Sequence, residues 1–97
     1  MPDHGDQEFQ GKATQKLFED GKCPAKWAAF QRVAERKLDM VHYAEKLSDL
    51  KSPPGNRLEG LRGDREGQHS IRINDQYRVC FRWTADGAAD VEITDYH

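Results

Sequence analysis

Arg72 and Arg78 flank the short polar segment Asn74-Asp75-Gln76, and the last three residues are Asp95, Tyr96 and His97. Two guanidinium groups held close together without an obvious acidic partner form a natural anion site. The plain alternative is that both side chains splay into solvent. Phosphodiester cleavage in RNA needs little more than such a site, because the nucleophile is the substrate's own 2′-hydroxyl. The protein must take a proton, stabilise charge on the phosphoryl oxygens and protonate the leaving 5′-oxygen. A guanidinium serves the second need, and a histidine titrating near neutrality serves either proton step. A tyrosine can stack on a base or orient the phosphate. None of this requires a metal or cofactor. The two cysteines, Cys23 and Cys80, are far apart and outside any CxxC pair, so a zinc site is not expected.

Strand phase decides whether these groups meet. Ile71 and Ile73 alternate with Ser70 and Arg72; Tyr77, Val79, Phe81 and Trp83 alternate with Arg78, Cys80 and Arg82; Val91 and Ile93 alternate with Glu92 and Thr94. This period of two predicts strands with one buried face. A loop at Asn74-Asp75-Gln76 pairs Ile73 with Tyr77 and sets Arg72 directly opposite Arg78, a destabilising like-charge relation. A three-residue loop at Ala85-Asp86-Gly87 pairs Thr84 with Ala88 and Phe81 with Val91. It leaves Gly87 at the position of positive φ. A two-residue Asp86-Gly87 turn would pair Phe81 with Glu92 and mix the faces. The core face is then Ile71, Ile73, Tyr77, Val79, Phe81, Trp83, Val91 and Ile93. The other face carries Ser70, Arg72, Arg78, Cys80, Arg82, Glu92, Thr94 and Tyr96. On it Arg78 lies opposite Thr94 with Tyr96 at the diagonal, Arg82 lies opposite Asp90, and two unpaired arginines approach the terminal tyrosine and His97.

The elements before the strands have helical period. Residues 12–20 end at Gly21, a glycine stop. Pro24 opens a long helix over roughly 24–46, with Trp27, Phe30, Val33, Ala34, Val41 and Ala44 on one stripe. Ser48 to Asn56 contains two prolines and a glycine and reads as a loop, and Arg57 to Arg62 is a weaker strand candidate. Helices followed by strands give an α+β class, with the N-terminal helices packed on one face of a C-terminal antiparallel sheet. Residues 1–8 read as a mobile tail before a single domain over 9–97.

Charge sets a constraint on partners. The chain has 97 residues, a net charge of -2 and a pI of about 6.1, which is acidic for a protein that binds nucleic acid. The basic charge is local: six arginines lie between Arg57 and Arg82, while the last fourteen residues carry four acids and no Lys or Arg. The acidic N-terminus is unlike a signal peptide. No apolar run approaches the roughly 20 residues of a membrane span. Free thiols fit a reducing cytoplasm. Of the other histidines, His4 falls in the tail, His42 near a helix end suits the helix dipole, and His69 has core-face parity that favours a partly buried structural role.

The residues just named also carry a resemblance. Leu61-Arg62-Gly63-Asp64-Arg65-Glu66-Gly67, Ser70 to Ile73, Gln76 to Trp83 and the closing Asp95-Tyr96-His97 resemble the HigB toxins of the RelE/ParE superfamily. The opening Phe9 to Gly21 is similar as well, so the likeness spans about residues 9–97. It implies a RelE-like fold and a toxin of a type II toxin-antitoxin system. It further implies a ribosome-dependent mRNA endoribonuclease neutralised by a helix-turn-helix antitoxin, HigA, with operator DNA bound through the complex. By the same resemblance Arg78 is the transition-state arginine, Asp95, Tyr96 and His97 form the terminal catalytic cluster, and Arg62 meets the substrate backbone; Arg65 and Arg72 are further candidates for binding RNA. One departure stands out. Glu59 occupies a position where well-studied members carry a second histidine. Other RelE-superfamily toxins use glutamate as general base with a terminal histidine as acid, so Glu59 and His97 are the expected pair. Two rival readings share the fold: a ParE-like gyrase poison, which lacks the terminal catalytic residues, and a degenerate toxin that survives as a DNA-binding co-repressor.

Overall fold

The computed structural model describes residues 9–95. Helix α1 (Lys12–Asp20) ends on Gly21 at φ 71°, whose backbone N–H bonds back to Leu17. A left-handed residue here is available to glycine at little steric cost. The expected long helix is instead two pieces. Ala25–Phe30 is a tight 3₁₀ turn, and helix α2 runs over Gln31–Tyr43. The break falls at Phe30, with φ -124° and ψ 23°. In a 3₁₀ turn residues three apart share a face, so Trp27 and Phe30 both turn inward before the α period takes over with Ala34, Leu38 and Val41. The helix also stops short of residue 46. The Asp49 carboxylate accepts the backbone N–H groups of Glu45 (3.0 Å) and Lys46 (3.1 Å) and opens a new 3₁₀ turn, Leu47–Lys51.

The loop that follows is anchored from inside. Asn56 is fully buried, donates to the carbonyls of Leu50 (3.2 Å) and Ser52 (3.3 Å), and accepts from the Lys37 ammonium of α2. Lys37 is itself 6% exposed, and burial, with Arg36 and Arg72 adding to it, lowers its pKa. A polar group so deeply placed is tolerated because it is hydrogen-bonded. This clamp delivers the chain to the sheet.

Four strands follow in the spatial order β1-β2-β3-β4, all antiparallel: β1 (Glu59–Gly60), β2 (Gln68–Arg72), β3 (Arg78–Thr84) and β4 (Gly87–Thr94). Of Arg57 to Arg62, therefore, only two residues are strand. The β2–β3 register is the expected one, with Ile71 opposite Val79 and Arg72 opposite Arg78. The turn between them is closed by Asn74, whose Oδ1 accepts from the N–H groups of Gln76 (2.8 Å) and Tyr77 (2.7 Å).

The β3–β4 hairpin corrects the sequence reading at its tip. Val79 lies opposite Ile93 and Arg78 opposite Thr94, as expected, but Thr84 pairs with Gly87 rather than Ala88. The turn is the two residues Ala85-Asp86, and a bulge between Cys80 and Arg82 restores the register further down. Asp90 takes φ 52° there and Gly87 φ 109°. Side-chain phase fixed the lower half of the hairpin. It could not reveal a bulge, which adds one residue on one strand without turning over the faces below it.

The core sits between the helices and one sheet face. Ile71, Val79, Phe81, Val91 and Ile93 pack against Leu17, Ala34, Leu38 and Val41. Tyr77 and Trp83, placed on the same face, are half-buried against it. The outer edge of β4 is covered by the chain's beginning: Gln10 N–H donates to the Val91 carbonyl at 2.8 Å, and the Thr14 hydroxyl of α1 accepts from Ile93 N–H at 3.1 Å. Covering this edge removes a site where a foreign strand could pair.

Candidate active site

The face turned away from the helices is lined by a chain of ion pairs. Arg78, at the start of β3, reaches Glu59 of β1 at 3.1 Å and the Ser70 hydroxyl of β2 at 3.4 Å. The pairing of Glu59 with Ser70 across β1 and β2 puts that carboxylate within reach. Arg65 leaves the 3₁₀ turn Gly63–Arg65 and lies back over the sheet. It donates to Gln68 Oε1 (3.1 Å), Glu92 Oε1 (3.4 Å) and Thr94 Oγ1 (3.5 Å). Arg82 makes the expected ion pair with Asp90 at 3.3 Å, but in the strand ladder it lies opposite Ala89 and not Asp90, because of the bulge. Arg72 bonds to Asp75 in the adjoining loop.

Two expectations change as a result. Arg72 and Arg78 are not unpaired: Asp75 turns back three residues to meet one, and β1, whose register the sequence left open, supplies Glu59 to the other. The like-charge opposition of Arg72 and Arg78 in the ladder is thereby offset by two carboxylates.

Beneath these lids Ser70 and Cys80, paired across β2 and β3, have no solvent exposure. Burial pushes the Cys80 thiol up to about 11; Arg65 and Arg78 pull against that rise, while Glu92 and Glu59 add to it. The floor of the site is thus small, neutral and dry, and its walls are charged. Arg78 keeps 25% and Glu59 51% of side-chain exposure, so both can be reached from outside.

The remaining site residues take distinct places. Arg62 is exposed at the entry to the 3₁₀ turn. Asp95 is exposed just past Thr94 and accepts from the Gln76 side-chain amide at 2.9 Å, which ties the end of β4 to the Asn74–Gln76 turn. Tyr96 and His97 lie outside the described residues. His69 stacks on Phe81 with centroids 6.1 Å apart, on the core side of the sheet. His42 is exposed and packs between Phe18 and Tyr43, each 4.6 Å away. The sequence reading missed the bridging part played by Arg65 and the Gln76–Asp95 tie. Glu92, placed on this face by its phase, was the available signal for the first. Among the described residues no group of His, Cys, Asp and Glu has an arrangement fit for a metal ion, and no helix is long and apolar enough to cross a membrane.

Two helices laid on one face of an antiparallel sheet, with a charged, arginine-lined opposite face, define a RelE-like toxin fold. Residues 7–97 match the family described as the RelE-like toxin of type II toxin-antitoxin system HigB. The chain is 39% identical over 94 residues to Toxin HigB-1 of Vibrio cholerae, covering 93% of this chain and 95% of that protein. A Haemophilus influenzae protein, described only as uncharacterized, is 44% identical over 52 residues, 54% of this chain and 52% of its own. The chain belongs to the HigB family of type II toxin-antitoxin toxins.

Proposed function

We propose that this toxin is a metal-independent endoribonuclease that cuts mRNA on the ribosome, with the candidate site on the open sheet face as its active site. The observation that carries the reading is the Arg78–Glu59 pair: a half-buried guanidinium oriented by a carboxylate and a hydroxyl on a rigid sheet, yet open to a ligand. Guanidinium binds phosphate in the same forked fashion as carboxylate. An incoming phosphodiester can therefore take Glu59's place on Arg78. The exchange leaves the Glu59 oxygens free to accept the 2′-hydroxyl proton as that oxygen attacks phosphorus. Arg78 then stabilises charge on the phosphoryl oxygens. The 5′-oxygen leaves with a proton supplied by His97, so the downstream fragment carries a 5′-hydroxyl and the upstream fragment keeps a 2′,3′-cyclic phosphate at its 3′ end. Tyr96 orients the phosphate or stacks on a base, and Asp95 supports the terminal cluster. Arg62, Arg65 and Arg72 hold the RNA backbone on either side.

The natural partner is an antitoxin, which we take to be a HigA-type helix-turn-helix protein, with operator DNA bound only through the complex. A second reading has one observation in its favour. The chain is net acidic, and Arg65, Arg72, Arg78 and Arg82 all have carboxylate partners, which suits a toxin retained only as a co-repressor.

Primer extension on a translated mRNA, with and without ribosomes, separates the two. The nuclease reading expects ribosome-dependent cuts by the wild type, lost in both Glu59→Gln and His97→Gln. Wild-type speed in Glu59→Gln would remove Glu59 as base. Uncut mRNA and normal growth on expression without antitoxin would favour the co-repressor, and inhibited gyrase supercoiling would favour a ParE-like poison.

A further inference from the structure

Glu59 owes its place only in part to the sheet. β1 pairs Glu59 with Ser70 and Gly60 with His69, and beyond it the Leu61 N–H reaches the Gln68 carbonyl at 2.9 Å. On its other side the chain is fixed at Asn56, whose side chain has no solvent exposure. The Asn56 Oδ1 accepts from the ammonium of Lys37, in the middle of α2. Its Nδ2 donates to the carbonyls of Leu50 and Ser52 and faces the Met40 sulfur at 3.7 Å. Arg57 follows at φ 48°, an angle that a non-glycine residue keeps only where its surroundings hold it. Its N–H bonds to the Pro54 carbonyl at 3.1 Å, and Leu58 then packs against the core. Glu59 is the next residue.

Stability alone does not call for this chemistry. The Lys37 ammonium is costly to bury, and apolar side chains of similar volume commonly replace such a polar pair without loss. Apolar contacts, however, have little preferred direction. Directed hydrogen bonds from one buried amide hold the loop on α2 in a single arrangement. Glu59 is reached from that point through Arg57 and Leu58, so the same arrangement sets where its carboxylate stands against Arg78, 3.1 Å away. We infer that Lys37 and Asn56 are positioning residues for the cleavage, holding Glu59 against Arg78 from inside the helical layer, a role that rests on the reading of Glu59 as general base. Both side chains are buried and neither meets the substrate. Misplacing a reacting group by about 1 Å is enough to lower a rate by roughly 10²-fold.

The test compares ribosome-dependent cleavage by wild type, Lys37→Met, Glu59→Gln and the double variant, with the Arg78 guanidinium N–H signal followed by NMR in each. Lys37→Met keeps much of the side-chain volume and leaves the Asn56 acceptor without its donor. The expected result is a maximal rate lowered by about tenfold or more, with the half-saturating ribosome concentration within about twofold of wild type. The Arg78 signal should move toward its position in Glu59→Gln. In the double variant Lys37→Met should have no further effect, because the group it positions is already gone. A wild-type rate or an unmoved Arg78 signal in Lys37→Met overturns the positioning role. So does the same fold loss in both backgrounds, which is what a merely structural role produces. Wild-type speed in Glu59→Gln by itself overturns the base and the positioning role together, and that failure is recognised without any change at Lys37. If Lys37→Met does not fold, as judged by the melting curve, Asn56→Ser, too short to reach Lys37 and both carbonyls, is read by the same outcomes.

Discussion

Cys80 and Phe81 are neighbours on β3, and both have lost all contact with solvent, yet what covers them differs. Phe81 lies under α1 and α2 in an apolar layer. Cys80 lies under Arg65 and Arg78, which are held by Glu92, Thr94, Glu59 and Ser70. The helix-covered face is sealed by groups with nowhere else to go. The open face is sealed by groups whose partners can be exchanged for others of the same charge. Close packing fixes the first face, while ion pairs near water each contribute little and can be replaced by ligand contacts. A small domain can thus keep a rigid sheet and still present a binding surface on it.

Breaking the apolar side should have the largest effect. Phe81→Ala should cost about 3–5 kcal/mol, enough to unfold much of a domain this size at ordinary temperature, and a thermal or denaturant melt measures it. Breaking the polar side should separate function from fold. Arg78→Lys keeps the charge but loses the fork. It should leave the melting temperature within a few degrees of wild type while ribosome-dependent cleavage falls by roughly 10²–10³-fold, as for loss of one transition-state donor. A collapse of stability instead would mean that the two faces are not energetically distinct.

A subtler prediction concerns Cys80. Its thiol titrates near 11 in the folded protein against an ordinary value of 9.0. Below pH 9 both folded and unfolded chains hold the proton, and the full stability is present. From 9 to 11 only the unfolded chain releases it, so stability falls with rising pH over that window. Cys80→Ala should lose that part of the decline in a melting series from pH 8 to 11; an identical slope would show that the arginine lids do not exclude water. The smallest effect belongs to the rim. Arg82 and Asp90 are each nearly half-exposed at 3.3 Å, and Arg82→Gln should shift stability by less than about 1 kcal/mol.

Much of this arrangement is legible in the order of residues, and the parts that are not share a cause. Alternation in Ile71–Ile73, Tyr77–Trp83 and Val91–Ile93 assigns the two faces, because a strand's side chains have only two directions. The glycine at 21 marks the end of α1 because few other residues adopt its backbone angles. The break at Phe30 and the bulge at Asp90 escaped notice because each leaves the periodicity on either side intact. The partner of Arg78 escaped notice because a two-residue strand has no period to read.

What the sequence determined alone is local: which segments coil or extend, which side of each is apolar, and which charges share the polar side. Those depend on backbone sterics and side-chain phase within a few residues. The tertiary structure decided which carboxylate meets which arginine, and that Ser70 and Cys80 are sealed from water. Such pairings join residues as far apart as Arg65 and Glu92, and only the packing of helices, loop and sheet into one volume sets those distances.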